Sequence, residues 1–294
     1  TGESTPEILQ VLSALPGRIE PVGERLRASA QFRIDDKAKP LGSLGKLEDL
    51  AVRLAMIRNT LTPTLDRKAL FVFAADHGIA ESGVSAYPSE VTHQMVGNFL
   101  RGRAAINILA RRSGIDLAVV DMGVNADLPQ HPLLVSKKVR RGTRNFAIEP
   151  AMTPAEAIQA LHAGMEVFLS AHNDRSIDIL GVGEMGIGNT TSASALAAVL
   201  LSKPVADLTG PGTGLDPDGV AHKRRIIEQA VARHGADNDP VQLLASLGGF
   251  EIAALVGAYM TCGQTGIAVL VDGFICTIAA LLACRIQPDL ADWL

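Results

Sequence analysis

Four short apolar segments, alternating with stretches of helical character, constrain the fold of this chain more than any other feature. Each has the length of a buried strand and is followed closely by an acidic residue near a glycine. The four segments are 69–75, 115–120, 176–180 and 266–271. Strands that alternate with helices are typical of a parallel sheet, and ligands bind at the edge where its strands end. The sequence therefore predicts an α/β fold with an open parallel sheet of Rossmann-like topology flanked by helices.

The first 65 residues follow a different pattern. Apolar residues recur at helical spacing over 8–15 and 47–57, and a polar, glycine-containing connection lies between them. We therefore predict two parts. Residues 1–65 form the N-terminal helical part of a small domain, and residues 66–294 form an α/β domain that binds substrate and carries out catalysis.

Three helices of the second part have recognisable signals. Thr153-Pro154-Ala155-Glu156 is a capping box with proline at the first helical position, and Asp216-Pro217 begins another helix in the same way. Apolar residues from Val91 to Leu109 recur at helical spacing and predict one continuous helix.

Composition excludes several classes of protein. The formal charge is −4, from 27 basic and 31 acidic residues, so the chain lacks the electrostatic footprint of a nucleic-acid-binding protein. No apolar run is long enough to span a bilayer, and no secretory leader is visible. The three cysteines lack metal-site spacing and are expected to be buried free thiols in a reducing compartment. We expect a cytoplasmic protein without a membrane, nucleic-acid, metal or cofactor partner.

The segment from Gly181 to Thr191 carries the clearest chemistry. It places four glycines between a predicted strand and a helix predicted from Ser192 to Leu201. Glycines allow close approach to a ligand, and the N–H groups at a helix start favour an anion such as phosphate. The candidate phosphate- and ribose-binding residues are Gly183, Gly186, Gly188, Asn189 and Thr190. Glu184 does not fit a plain phosphate site, because its carboxylate repels an anion unless it has another task.

A second glycine-rich segment, from Thr209 to Asp216, also precedes a helix. Lys223 lies two turns into that helix and can reach a phosphate held by the loop. The candidate residues in the loop are Gly212, Thr213 and Gly214. The competing interpretation is a flexible turn followed by a solvated basic face.

Three further features are open to two interpretations each. Asp76-His77-Gly78 is either half of a metal site, with His93, or a hydrogen-bonded strand end, which we favour. The loop from Ser82 to Pro88, with Tyr87, is either a pocket wall or a plain loop. Arg144 either binds an anion or lies in a surface loop.

A nicotinamide-dependent oxidoreductase is the alternative function. Gly181-x-Gly183-x-x-Gly186 matches the dinucleotide fingerprint, and Asp207 lies at a suitable distance downstream. Two features disfavour this hypothesis: Glu184 would face the pyrophosphate, and the predicted helix begins too late.

Taken together, these segments resemble the nicotinate-nucleotide–dimethylbenzimidazole phosphoribosyltransferase family of cobalamin biosynthesis. The resemblance runs from about residue 37 to 285. The matching stretches are 40–45, 75–78, 83–94, 142–146, 183–191, 210–215 with Lys223, 247–251 and 271–274.

The resemblance implies a reaction and residues for it. A ring nitrogen of 5,6-dimethylbenzimidazole attacks the anomeric carbon of nicotinate mononucleotide, nicotinate leaves, and α-ribazole 5′-phosphate forms. Glu184 then either stabilises positive charge on the ribose or fixes the ribose hydroxyls, while Lys223 and the second glycine loop hold the phosphate. Tyr87, Gln94 and Met95 line the slot for the base, with Asp76, Arg144 and Asp272 as further candidates. The family also implies a homodimer.

The sequence departs from the family at one functional position. The family's general base is a glutamate in a Gly-Glu-Gly motif near the C-terminus, and no such motif follows Asp272 here. The family's C-terminal helices, which complete the small domain, are absent as well. Glu251 and Asp272 are available carboxylates, but nothing in the sequence places either at the acceptor base. A non-catalytic nucleotide- or base-binding chain is therefore the third hypothesis.

Overall fold

The computed structural model describes residues 18–235 and 239–294, so the helix predicted over 8–15 lies outside the described residues. Its centre is a five-stranded sheet in the order β3-β2-β1-β4-β5, in which every neighbouring pair is parallel. The strands are β1 (Lys68–Ala75), β2 (Ile115–Gly123), β3 (Leu134–Ser136), β4 (Ile179–Met185) and β5 (Ala268–Leu270). The predicted parallel α/β sheet is confirmed.

Two strands differ from the prediction. β3 was not predicted, because it has only three residues and its pattern is too short to read. β4 continues to Met185, whereas we expected a loop from Gly181. Gly181 pairs with Leu70 and Gly183 with Val72, so hydrogen bonding to the long strand β1 extends β4 despite the weak strand preference of glycine. Glu184 therefore lies on a strand.

The helices cover both faces of the sheet. They are α1 (Arg27–Asp35), α2 (Lys46–Ile57), α3 (Glu90–Leu100), α4 (Ala105–Arg112), α5 (Pro154–Arg175), α6 (Asn189–Leu201), α7 (Val205–Leu208), α8 (Pro217–His234), α9 (Pro240–Leu247), α10 (Phe250–Thr265) and α11 (Phe274–Ile286). Short 3₁₀ helices are Glu24–Leu26, Gly78–Ser82 and Pro288–Trp293.

The two sheet faces have separate cores, because successive strand residues point to opposite sides. Phe71 and Phe73 join the larger core with α5, α6, α10 and α11, whereas Val72 and Ala74 join the smaller core with α3. Leu180 and Val182 of β4 lie in the larger core. The same alternation directs Glu184 toward the face that α10 and α11 cover.

Helix α10 packs very closely against α5. A Cβ atom at Gly164 would lie 1.9 Å from the Ala254 carbonyl oxygen, and one at Gly257 would lie 2.0 Å from the Leu161 carbonyl oxygen. Glycine is therefore required at both positions of the contact. This packing places the first turn of α10, which contains Glu251, against the carboxyl edge of the sheet.

The predicted helix starts are confirmed, but one predicted helix is wrong. Thr153 forms its capping box with Glu156, and the Asp216 carboxylate accepts a hydrogen bond from the Gly219 amide. The stripe from Val91 to Leu109 is divided into α3 and α4, because the chain turns at Gly102, which has φ +70°. An apolar spacing counted across that turn does not belong to one helix face.

The N-terminal helices have a small core of their own. It consists of Val22, Ala30, Val52, Ala55 and Met56. The Trp293 indole packs against this core and donates a hydrogen bond to the Glu20 carbonyl oxygen at 3.0 Å. The division into residues 1–65 and 66–294 remains a prediction.

Within residues 18–235 and 239–294, no helix is both long enough and apolar enough to cross a membrane. Cys262, Cys276 and Cys284 are free, and the first two are buried.

Candidate active site

The carboxyl edge of the sheet brings together His77 and Glu251. His77 follows β1, and its Nε2 lies 2.6 Å from Oε1 of Glu251 in the first turn of α10. Both side chains are fully buried. The described residues contain no group of His, Cys, Asp or Glu side chains that could hold a metal ion, and His93 is exposed on α3. His77 therefore takes the hydrogen-bonded role that we favoured.

Asp76, beside His77, connects two loops at the same edge. Its Oδ2 accepts a hydrogen bond from the Asn125 amide at 2.7 Å, and its carbonyl oxygen accepts one from the Thr143 amide at 3.0 Å. Burial raises the pKa of Asp76 above its ordinary value, despite the Asn125 hydrogen bond. The residue is tied into the structure beneath the site.

Glu184 lies at the end of β4, half-buried, with its Oε2 accepting a hydrogen bond from Asn189 Nδ2. Burial and the nearby Glu251 carboxylate raise the pKa of Glu184 to about 7, against the opposing effects of Asn189 and His77. A carboxyl group with this pKa changes its charge near neutral pH. Such a shift is typical of functional residues.

Two glycines after Glu184 have structural partners. A Cβ atom at Gly186 would lie 2.3 Å from the Ala75 carbonyl oxygen, and one at Gly188 would lie 3.2 Å from His77 Cβ. Gly188 has φ +97°, which favours glycine, and is the N-cap of α6. These glycines let the turn pack against the end of β1, which is a reason for glycine independent of any ligand.

The amides of that turn are largely used within the protein. The Ile187 amide donates to Thr92 Oγ1 at 3.0 Å, and the Asn189 amide donates to the Gly186 carbonyl oxygen at 3.1 Å. The Thr191 amide likewise donates to the Gly188 carbonyl oxygen at 3.0 Å. These hydrogen bonds weaken the expectation that this turn is the main phosphate site.

The second glycine loop meets Lys223. Lys223 Nζ donates a hydrogen bond to Thr190 Oγ1 at 2.8 Å, and a Cβ atom at Gly212 would lie 3.4 Å from the same Nζ. Lys223 is 1% exposed, so it does not belong to a solvated face. Burial lowers the pKa of Lys223 to about 8. Thr213 and Gly214 lie on the exposed part of the loop.

A cavity of about 540 Å³ opens beside Lys223. Arg224 also lines it and donates from Nη2 to the Thr209 carbonyl oxygen at 3.3 Å. Asp207, which the oxidoreductase hypothesis assigns to a cofactor ribose, lines this cavity instead. Two cationic side chains in one cavity suit a phosphate group.

The predicted base-binding residues differ in their surroundings. Tyr87 and Gln94 are exposed, whereas Met95 is half-buried. Met95 and Met185 pack against the same core cluster, which places the Met95 side of α3 near the end of β4. Base binding by these residues remains a prediction.

Two of the further candidates have other surroundings. Arg144 makes two hydrogen bonds to Glu156, from Nη1 at 2.6 Å and from Nη2 at 3.2 Å, so its guanidinium already has an anionic partner. Asp272 is exposed after β5. Burial raises the pKa of the Cys276 thiol, and the Glu184 and Asp272 carboxylates add to this effect. Both carboxylates therefore face Cys276.

The dinucleotide fingerprint does not have its usual geometry. Gly181 and Gly183 are paired within β4, whereas the fingerprint needs its glycines in the turn that receives the pyrophosphate. The helix α6 begins at Asn189, earlier than the start we predicted at Ser192. The position of the helix start therefore does not count against dinucleotide binding. The pairing of Gly181 and Gly183 within the sheet does.

Sequence reasoning did not place the partner of His77. Glu251 was an unassigned carboxylate, because it lies 174 positions from His77. The one local signal is Gly248-Gly249, since a Cβ atom at Gly249 would lie 2.3 Å from His77 Cε1.

A parallel sheet, a buried lysine in a cavity that suits an anion, and a glutamate with a raised pKa at the carboxyl edge of the sheet are consistent with an enzyme that handles a phosphorylated sugar. The family model described as "Phosphoribosyltransferase" matches residues 19–294, and the chain belongs to this family.

The similar proteins have more specific names. A Cupriavidus necator protein named nicotinate-nucleotide–dimethylbenzimidazole phosphoribosyltransferase is 50% identical over 275 residues, covering 94% of this chain and 79% of its own length. A protein of the same name from Pseudomonas fluorescens is 54% identical over 266 residues, covering 90% and 76%. The solved structure of CobT from Thermus thermophilus has a TM-score of 0.88 at 45% identity, covering 92% of this chain and 81% of its own.

Proposed function

We propose that this protein transfers the phosphoribosyl group of nicotinate mononucleotide to 5,6-dimethylbenzimidazole, giving α-ribazole 5′-phosphate and nicotinate. One observation carries the proposal. A single turn joins Glu184 to Thr190, and Thr190 binds the Lys223 ammonium. One short turn thus connects the Glu184 carboxylate to the side chain that binds the Lys223 ammonium, an arrangement that suits a ribose carrying a 5′-phosphate. The names of the relatives support this choice of substrates.

In this mechanism the nucleophile is a ring nitrogen of dimethylbenzimidazole. Its lone pair forms the new bond to the anomeric carbon on the face opposite the nicotinate. The old C–N bond breaks, its electron pair stays with nicotinate, and the configuration inverts. Positive charge develops on the ribose in the transition state, and the Glu184 carboxylate stabilises that charge.

Binding is divided between two regions. Lys223, with Thr190, Gly212 and the neighbouring Arg224, holds the 5′-phosphate. Tyr87, Gln94 and Met95 form the wall for the flat base. Because the oxidoreductase alternative lacks its pyrophosphate turn, no described feature favours it over the transferase.

The reaction also releases the proton of the benzimidazole N–H. Glu251 is an unsuitable acceptor, because it is fully buried and already paired with His77. In the family that this chain resembles, a glutamate of a Gly-Glu-Gly motif takes the proton, and the match covers 79% of the length of the Cupriavidus necator relative. We propose that a carboxylate of this kind accepts the proton in this reaction as well. A homodimer and a cytoplasmic location remain part of this proposal.

The test uses the purified full-length protein. Nicotinate mononucleotide and dimethylbenzimidazole are mixed with it, and nicotinate release and α-ribazole phosphate are followed by chromatography. We expect equal amounts of the two products. Without nicotinate release the proposal fails, and tight NADH binding with enhanced fluorescence would favour the oxidoreductase. Binding of both substrates without turnover would favour the non-catalytic hypothesis.

A further inference from the structure

The pair formed by His77 and Glu251 has no part in the mechanism above. Its atoms Nε2 and Oε1 are 2.6 Å apart, and neither side chain has any exposed surface. Burial lowers the pKa of His77, but the Glu251, Asp76 and Glu184 carboxyl groups together raise it above its ordinary value, which favours the imidazolium.

The backbone is shaped closely around this pair. A Cβ atom at Gly249 would lie 2.3 Å from His77 Cε1 and 2.7 Å from Glu251 Oε2. A Cβ atom at Gly186 would lie 3.2 Å from His77 Cδ2. The imidazole is therefore enclosed between the start of α10 and the turn that follows Glu184.

Stability alone is a poor explanation for the pair. Buried ion pairs are often no more stabilising than apolar residues of the same volume. Within residues 18–235 and 239–294, three buried atoms of this cluster also have no hydrogen-bond partner: His77 Nδ1, Glu251 Oε2 and Asp76 Oδ1. Each such atom destabilises the fold, because it gives up its hydrogen bonds to water without replacing them. Costly buried polar groups concentrate at functional sites.

The cluster faces Glu184 from several sides. Glu251 approaches from α10 and raises the pKa of Glu184, while His77, after β1, lowers it. Asn189 donates its hydrogen bond from α6, and the Cys276 thiol lies on α11. His77 itself faces the carboxyl groups of Glu251, Asp76 and Glu184.

We propose that His77 and Glu251 form a positioning pair in which Glu251 holds the His77 imidazole in place and His77 limits the protonation of Glu184 that its buried carboxyl neighbours favour. The inference rests on the proposed function and deepens it. Glu184 can stabilise a positive ribose only as a carboxylate. Without the His77 charge, the Glu251 carboxylate would remain beside Glu184 and drive it to its protonated form.

The main variant is His77→Gln, because the glutamine amide can still donate to Glu251 but carries no charge. We expect the acidic limb of the kcat–pH profile to rise by about one pH unit. At neutral pH this lowers kcat about fivefold, and activity returns in alkaline buffer. The double variant His77→Gln/Glu251→Gln should move the limb back toward that of the unaltered protein, because the opposing carboxylate is gone.

Two measurements distinguish a charge effect on Glu184 from a general loss of structure. Direct titration of the Glu184 carboxyl by ¹³C NMR, identified by its loss in Glu184→Gln, reports the same shift without turnover, so it stands even if the proposed function fails. Asp178→Asn is the matched control, because Asp178 is a buried, paired carboxylate at the other end of the same strand. Asp178→Asn should lower the free energy of unfolding and leave the acidic limb of the kcat–pH profile unchanged.

The proposal is overturned if the Glu184 titration of His77→Gln coincides with that of the unaltered protein. It is also overturned if the double variant titrates as high as the single one. Circular dichroism and thermal unfolding establish that each variant is folded. If His77→Gln does not fold, Glu251→Gln decides, because a rise in its Glu184 titration contradicts the proposal.

Discussion

The two ends of strand β4 hold a carboxylate each, and their surroundings are opposite. Asp178, just before the strand, is 3% exposed and lies 3.1 Å from the guanidinium groups of both Arg58 and Arg67. Glu184, near the end of the strand, has Asn189 as its hydrogen-bond partner and faces a second carboxylate, Glu251.

The pKa values differ accordingly. Burial alone would raise the pKa of Asp178, but the Arg67 amide and the two guanidinium groups hold it below its ordinary value. Burial and Glu251 raise the pKa of Glu184 to about 7. One end of the strand is thus arranged for a stable charge, and the other for a charge that can change. The comparison teaches that charged partners decide whether a buried carboxylate keeps a low pKa, as Asp178 does, or has a raised one, as Glu184 does.

Glu184→Gln should have the largest effect on activity, and it tests whether the two ends of β4 differ in function. Loss of the charge that stabilises the transition state should lower kcat by about 10²- to 10³-fold, with a small change in mononucleotide affinity. Steady-state kinetics and a direct binding measurement provide the two values. Equal losses in kcat and affinity would show that Glu184 acts only as a ground-state contact.

Lys223→Ala extends the comparison to the cation at the functional end. Removal of a charged hydrogen-bond donor to phosphate should weaken mononucleotide affinity by roughly 10- to 100-fold. Because the pKa of Lys223 is lowered to about 8, affinity in the unaltered protein should fall above that pH, and the variant should lack this dependence. Calorimetric titration with the mononucleotide across the pH range checks both effects; unchanged affinity would remove Lys223 from the site.

Asp178→Asn tests the structural end. Two guanidinium groups lose their counter-charge, and both are partly exposed, so the free energy of unfolding should fall by only about 2 kcal/mol. Urea unfolding measures this loss, while kcat should stay within about twofold of the unaltered value. A large loss of kcat in a folded variant would mean that the two ends of β4 are not independent.

The smallest effect is the pH dependence of stability. The folded-state pKa of Glu184 lies above its unfolded value, so its contribution to stability is present below pH 4.5 and is lost as the pH rises through about 7. Glu184→Gln lacks this titration. Its Tm relative to the unaltered protein should rise by about 2 to 4 °C between about pH 5 and pH 8. A constant difference would show that Glu184 is not perturbed in the folded state.

Local patterns predicted much of the fold. The apolar segments placed four of the strands, and the side-chain caps Thr153 and Asp216 placed two helix starts, because these signals act within a few residues. Local patterns failed where the chain's tertiary structure fixed the limits of a strand or a helix. β1 extended β4 through Gly181 and Gly183, and the turn at Gly102 divided a helix whose spacing looked continuous.

The candidate site shows the same limit. Glu184 and Lys223 stood out from the sequence by their residue type and their glycine loops. The pairing of Lys223 with Thr190 did not, since 33 positions separate them. The sequence left Arg144 available for an anion, but its guanidinium donates two hydrogen bonds to Glu156.

The sequence by itself determined the class of fold and predicted an edge of the sheet and a set of residues for the site, because periodicity and residue type are local properties. Only the tertiary structure decided the charge of those residues. Glu184 titrates near neutral pH because folding brings Glu251 and His77 to it from distant parts of the chain and excludes water around them. Electrostatic energy depends on distance and surroundings, and neither is written in the order of the residues.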